Sequence, residues 1–172
     1  SAPFIISDGE ETKNNPQDVT MFLVDFSYKN PERILKDLKK GMKGTSMKMP
    51  AARDLNDVKY DAYLTNYRTL EDPEIIRVTP GQSVRLRIIN GAAATNFFVS
   101  TGKLKGEVIA TDGQSVTPLQ GTEFQVAAAQ RLDVLVNIPK GEGVYPILAQ
   151  GEGTNMQTGL VLATQNMQIP VL

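Results

Sequence analysis

The 172-residue chain contains no cysteine, no histidine and no tryptophan. Without cysteine there are no disulfides, which leaves the redox compartment open. Without cysteine or histidine there is no nucleophile–imidazole dyad, no imidazole base and no ordinary zinc site. A blue-copper centre, built on two imidazoles and a thiolate, is excluded on the same ground. Charge of one sign is also lacking: 18 basic against 19 acidic residues leave −1, which argues against a nucleic-acid footprint or a polybasic membrane surface. No apolar run approaches the roughly 20 residues that a membrane-spanning helix needs, so no membrane insertion is expected. No signal peptide is visible, so the chain reads as never exported or as a mature fragment. Six Phe and five Tyr without Trp disfavour a carbohydrate-binding sandwich, because sugar platforms lean on aromatic faces.

What is present is strand pattern. Between Ile76 and Pro139 apolar and polar residues alternate in runs closed by Gly, Pro or Asn. Val84, Leu86 and Ile88 fall on one side of such a run and Arg85 and Arg87 on the other; Leu132, Val134, Val136 and Ile138 repeat this opposite Arg131, Asp133 and Asn137. Side chains on a strand alternate with period two, so these are strands with one buried and one wet face. Val19 to Phe26 is nearly all apolar and suits an interior strand covered on both faces. Phe4-Ile5-Ile6 predicts a short strand, and Val58–Leu64, Val144–Gln150 and Gly159–Ala163 predict further ones, with Asn66 starting a turn. Pro146 within the second of these predicts an edge strand or a bulge.

One helix is predicted over about residues 31–40. Asn30 is placed to cap it, Pro31 suits its first position, Glu32 suits the positive end of its dipole, and Gly41 is a plausible stop. Ile34, Leu35 and Leu38 make an apolar stripe, which predicts a helix lying on a sheet edge or sandwich end. About nine strands, one helix and no βαβ alternation give a mainly β class, sandwich or barrel. The chain reads as a single domain over residues 1–172, with a core of about 17–163 and a loop insert of about 41–57.

Four groups of residues are candidates for chemistry. Met42, Met47 and Met49 lie close together in the insert and offer soft thioether ligands suited to Cu(I); the plainer reading is gap-filling or tolerated exposure. Asp54 and Asp57, and Glu71, Asp72 and Glu74, are carboxylate clusters of the kind glycoside hydrolysis uses, but the pattern fits solvated turns better. Gly151-Glu152-Gly153-Thr154 lacks the Lys-Ser/Thr ending of a phosphate loop and is followed by a strand, so a hairpin connection is expected. In the central stretch, Asp112 and Arg131 are candidates for a buried, bidentate pair at one end of the sandwich.

The runs PGQSVRLRIINGAAATNFFVS, VIATDGQSVTP and AAAQRLDVLVNIP, in that order, resemble the cupredoxin-like domains of multicopper oxidases. The resemblance covers about residues 58–163, and DVTMFLVDFSYKNPERIL and LNDVKYDAYLTNYRTLEDPE look like the entry of the middle domain of three-domain, laccase-like members. It implies a Greek-key β-sandwich or barrel, with Pro80, Gly81, Asn90, Asp112, Gly113, Arg131 and Asp133 as structural residues. It also implies a periplasmic or extracellular parent that couples oxidation of phenols or metal ions to reduction of dioxygen to water. Copper would then sit in the N- and C-terminal cupredoxin domains of the same parent, which are this chain's expected partners, with its terminal segments as linkers. No cofactor and no catalytic residue carry over here: after the Thr95-Asn96 step, where copper-binding relatives place His, this chain has Phe97-Phe98-Val99. The expected role is a bridging scaffold, inactive alone and open to self-association through surface its neighbours would cover. The competing expectation is a non-metallated interaction module of an envelope or cell-division protein.

Overall fold

A computed structural model describes residues 2–6, 15–41, 58–165 and 167. Eleven strands and one helix follow in the order β1 (Gln17–Phe26), α1 (Pro31–Gly41), β2 (Ala62–Thr65), β3 (Glu74–Arg77), β4 (Ser83–Asn90), β5 (Phe97–Ser100), β6 (Gly106–Thr111), β7 (Gln114–Gly121), β8 (Glu123–Val126), β9 (Arg131–Asn137), β10 (Val144–Gly151) and β11 (Gln157–Ala163). They form a six-stranded sheet in the order β2-β1-β4-β9-β6-β7 and a five-stranded sheet in the order β3-β11-β10-β5-β8. This is a Greek-key sandwich of two open sheets, not a closed barrel. Most neighbours are antiparallel, but β1 runs parallel to β4 and β3 parallel to β11.

The alternation read from the sequence decides which face turns inward. Val84, Leu86 and Ile88 from β4 and Leu132, Val134 and Val136 from β9 meet Phe97, Val99, Ile147, Ala149, Leu160 and Leu162 from the other sheet in one core. Removing a Leu, Ile, Val or Phe side chain from water contributes about 1.5–3 kcal/mol each, so these facing layers dominate the stability. On the wet face Arg85 and Arg87 are not idle. Arg85 Nε donates to Asp133 at 3.1 Å, and Arg87 Nε donates to Asp18 at 2.9 Å. In register Arg85 faces Leu135 and Arg87 faces Asp133, so both pairs are diagonal cross-strand contacts linking β1, β4 and β9.

Turn chemistry sets several corners. Thr79-Pro80-Gly81-Gln82 is a tight turn in which Gly81 takes a φ of 76° and Gln82 N–H donates to Thr79 C=O at 3.2 Å. Pro presets the first central position and Gly accepts the left-handed second one. Asp112 and Gly113 (φ 49° and 82°) make the two-residue link between β6 and β7, a pairing with positive φ at both centres. Asn66 and Tyr67 (φ 50° and 65°) do the same after β2, with Thr65 and Arg68 exchanging both backbone hydrogen bonds. Tyr67 is an unusual occupant of that region, and its ring rests against Phe22, 5.7 Å between centroids.

Helix α1 begins as the capping signals predict: Glu32 N–H donates to Asn30 Oδ1 at 2.8 Å, and Arg33 N–H to Asn30 C=O at 2.9 Å. Its apolar stripe, however, does not join the core, since Leu35 is 52% exposed and Ile34 and Leu38 are half-buried. Three strand readings need correction: the Val58–Leu64 run becomes a strand only from Ala62, as β2. Phe4, Ile5 and Ile6 form no strand and are exposed, because hydrophobicity alone supplies no neighbouring strand to pair with. Strand β10 is interior, between β11 and β5, not an edge. Pro146 is tolerated there because β5 pairs only from Leu148 onward, so no strand on that side asks for its missing N–H.

Candidate functional site

Several connections meet at one end of the sandwich: residues 91–96 between β4 and β5, 127–130 between β8 and β9, 112–113 between β6 and β7, and 152–156 between β10 and β11. Asn90 is the hub. It is buried, and its side-chain amide donates to Thr95 C=O at 2.9 Å and Val126 C=O at 3.0 Å, while its Oδ1 accepts from Ala92 N–H at 3.0 Å. Its backbone exchanges two more bonds with the 127–130 loop, through Gln130 C=O and Ala129 N–H. Asn96 ties the remaining connections, with Nδ2 donating to Glu152 at 2.9 Å and Oδ1 accepting from Ala128 N–H at 3.0 Å.

Asp25, near the end of β1, holds the 91–96 loop from the other side. Its carboxylate accepts from Ala93 N–H at 3.0 Å, Ala94 N–H at 3.2 Å and Thr95 Oγ1 at 3.1 Å. Tyr60 also donates its hydroxyl to Asp25, and burial together with that negative neighbour pushes the Tyr60 pKa up from 10.0 to about 12. Burial raises Tyr63 as well. A phenol whose pKa is raised on folding contributes stability that is fully present below about pH 10 and lost as pH rises toward about 12. Absorbance titration should therefore show a tyrosine step toward about pH 12, with unfolding free energy falling over that window, and Tyr60→Phe should remove that step. Tyrosines that all ionise together near pH 10 would contradict the Asp25 contact.

Beneath these loops the space is filled by rings. Phe97, fully buried, meets Tyr63 edge-on with centroids 5.2 Å apart, a favoured aromatic geometry. Gly151 lies flat against the same Tyr63, where a Cβ would come within 2.5 Å of the ring. Among the described residues every buried side-chain nitrogen and oxygen has a hydrogen-bond partner. The arrangement is a filled end whose buried polar groups, among the described residues, are all hydrogen-bonded.

The sequence-derived site residues are distributed as follows. Pro80 and Gly81 lie at the β3–β4 turn, Asn90 at the hub, and Asp112 and Gly113 in the β6–β7 turn. Asp112 and Arg131 do meet, but at the surface: Asp112 Oδ1 accepts from Arg131 N–H at 2.9 Å, and the guanidinium is 3.4 Å away with both side chains half-exposed. The pair is neither buried nor bidentate, because the turn projects Asp112 beyond the sheets. Asp133 pairs with Arg85 on the wet face. Glu74 accepts from Asn66 Nδ2 at 2.6 Å and Asp72 pairs with Arg68 at 2.6 Å, so these carboxylates serve turns. Met42, Met47, Met49, Asp54 and Asp57 lie outside the described residues. Asp25 was not singled out from the sequence, and Asn66 was read there only as the start of a turn. Each is a small polar residue beside apolar strand residues, the only signal that could have flagged them.

A two-sheet sandwich whose strand order crosses between sheets, with its loops gathered over one filled end, defines a cupredoxin-like domain. The chain belongs to the multicopper oxidase family, whose sequence pattern it matches over residues 17–169. It is 35% identical over 111 residues to the multicopper oxidase MmcO of Mycobacterium tuberculosis, covering 64% of this chain and 22% of that protein. To a copper resistance protein A homolog of Pseudomonas syringae pv. tomato it is 30% identical over 184 residues, covering 88% of this chain and 31% of the other. The crystal structure of Fet3p, a multicopper oxidase that functions in iron import, superposes with a TM-score of 0.73 at 12% identity, over 96% of this chain and 31% of that one. A blue copper oxidase from Nitrosomonas europaea gives 0.62 at 18% identity, over 88% and 45%. These superpositions speak for the fold alone. The chain spans about a fifth to a third of the length of the two sequence relatives.

Copper is the family's cofactor, and the residues at this chain's loop end do not fit it. The chain has no imidazole and no thiolate. Asn90 and Asp25, the polar groups nearest to such a role, are committed to backbone partners. Among the described residues no group of three or more carboxylates gathers closely enough to hold a metal.

Proposed function

We propose that this chain is a copper-free bridging domain within a longer multicopper oxidase, the middle one of three cupredoxin-like domains. The observation that carries the reading is the loop end itself. Where a copper domain needs ligands, Tyr63 and Phe97 pack ring to ring and Asn90 binds backbone. In this reading the flanking domains supply the copper, and the parent couples one-electron oxidation of phenol- or metal-type donors to reduction of dioxygen to water. The chain contributes fixed geometry, and exposed apolar residues such as Phe4, Ile6, Leu35 and Leu119 face the neighbouring domains. Family resemblance makes the parent a periplasmic or extracellular protein. The short share of each relative that the chain covers supports a piece of a larger enzyme.

Two measurements test this. Coding sequence upstream should contain a His-x-His pair and downstream a His-Cys-His run; flanks without them would overturn the oxidase assignment. The chain alone, loaded with Cu(II), should show no intense visible band and no dioxygen consumption with a phenol donor, since no thiolate is present to bind copper. A blue product from the isolated chain would defeat the bridging role.

A further inference from the structure

We propose that Asn90-Gly91 is a latent deamidation site, chemically locked by the fold and opened only when the sandwich loosens, so that one unfolding episode can weaken the fold permanently. It is the only Asn-Gly step in the sequence. Glycine after asparagine leaves the backbone nitrogen unshielded by a side chain, which is the arrangement most open to internal attack. In that reaction Gly91 N loses its proton to base and attacks Asn90 Cγ. The bond from Cγ to the side-chain nitrogen breaks, ammonia leaves with the proton, and a succinimide closes. Water then opens the ring at either carbonyl, leaving aspartate or isoaspartate.

The structure engages both reacting groups. Gly91 N–H, the incipient nucleophile, donates to Leu23 C=O at 2.8 Å. The Asn90 amide that would leave is held by Thr95 C=O and Val126 C=O, and Oδ1 by Ala92 N–H. Asn90 is 2% exposed, and Phe22 lies so close to Gly91 that a Cβ there would come within 2.3 Å of its ring, so the step has no room to rotate into a five-membered ring. Locked groups react only through opening, so the rate should scale with the fraction of chains open at this site.

The product cannot resume the same place. An aspartate at 90 turns an oxygen toward two carbonyl oxygens that now receive N–H donors, and an isoaspartate adds a backbone atom in the middle of the hub. The same residue that organises the loop end therefore acts as its fuse.

The test follows the unmodified chain by peptide mapping, incubated at mildly alkaline pH in buffer and in denaturing urea, followed by removal of the urea. Conversion of Asn90 in urea, slowed on the order of a thousandfold in buffer, with converted chains unfolding at a lower urea concentration than unconverted ones after refolding, is the expected result. Equal rates in the two conditions would overturn the lock. No conversion in urea would overturn the reactivity, and converted chains as resistant to urea as unconverted ones would overturn the fuse.

Discussion

Replacing Gly159 by alanine should destabilise the sandwich by about 3 kcal/mol or more, a large part of the roughly 5–15 kcal/mol by which domains are stable. Gly159 sits in β11, fully covered, opposite Leu148 of β10. A Cβ at this position would lie 2.3 Å from the carbonyl oxygen of Ile147 and 3.0 Å from Leu148 Cδ2. The first of these is main chain, so relief requires β10 and β11 to separate, at a point where Ile147, Leu160 and Leu162 are fully buried. Overpacking at a flexible side chain can be absorbed by a rotamer change; overpacking against a neighbouring strand's backbone cannot. Gly141→Ala supplies the comparison, because nothing lies within 4 Å of its added methyl. Urea midpoints for the two variants should differ widely, with Gly141→Ala near the parent chain. Matching midpoints would show that the β10–β11 approach is not as close as described.

The second large effect is expected from Asn90→Asp. The shape is kept and Ala92 N–H still finds an acceptor, so packing alone predicts little change. The chemistry predicts a loss of about 3–5 kcal/mol at neutral pH, as for an uncompensated charge left buried. A carboxylate has no donor for Thr95 C=O and Val126 C=O, and its protonated form has one donor for two acceptors. The folded state therefore disfavours ionisation and raises the carboxyl pKa above the unfolded value of about 3.9. With that sign, the variant retains most stability below about pH 4 and loses it as pH rises through the folded pKa. Denaturation curves at pH 4 and pH 7 should show the deficit growing toward pH 7. A deficit independent of pH would mean that Asn90 matters for its bulk and not for its donors.

The sandwich was readable because period-two alternation records which face of each strand is dry. Val84, Leu86, Ile88 and Leu132, Val134, Val136 fall where that rule puts them, and Asn30 caps the helix as its identity suggests. Partners were less readable. Whether Phe4-Ile5-Ile6 finds a neighbour, or which side of Pro146 lacks one, depends on residues far away in sequence. The same holds for Asp25, whose four donors come from residues 60 and 93–95 and which looks like an ordinary strand-end polar residue until those loops are brought to it. The filled loop end was half legible: the absence of His and Cys excluded ligands, and Phe97 announced packing, but the Tyr63 ring that meets it lies 34 positions earlier.

The parallel pairing of β3 with β11 carries a kinetic consequence. Glu74 lies beside Leu160 and Arg77 beside Ala163, so the edge of one sheet joins segments separated by half the chain. Thr65 and Thr158 bond hydroxyl to hydroxyl nearby, tying the edge strand of the other sheet to the same late strand. Such non-local contacts give a high contact order, and loop-closure entropy must be overcome before they stabilise anything. Folding should therefore be slow for the chain's size, and a nascent chain stopped short of β11 should stay open along one whole side, its strand edges available to chaperones and to other copies.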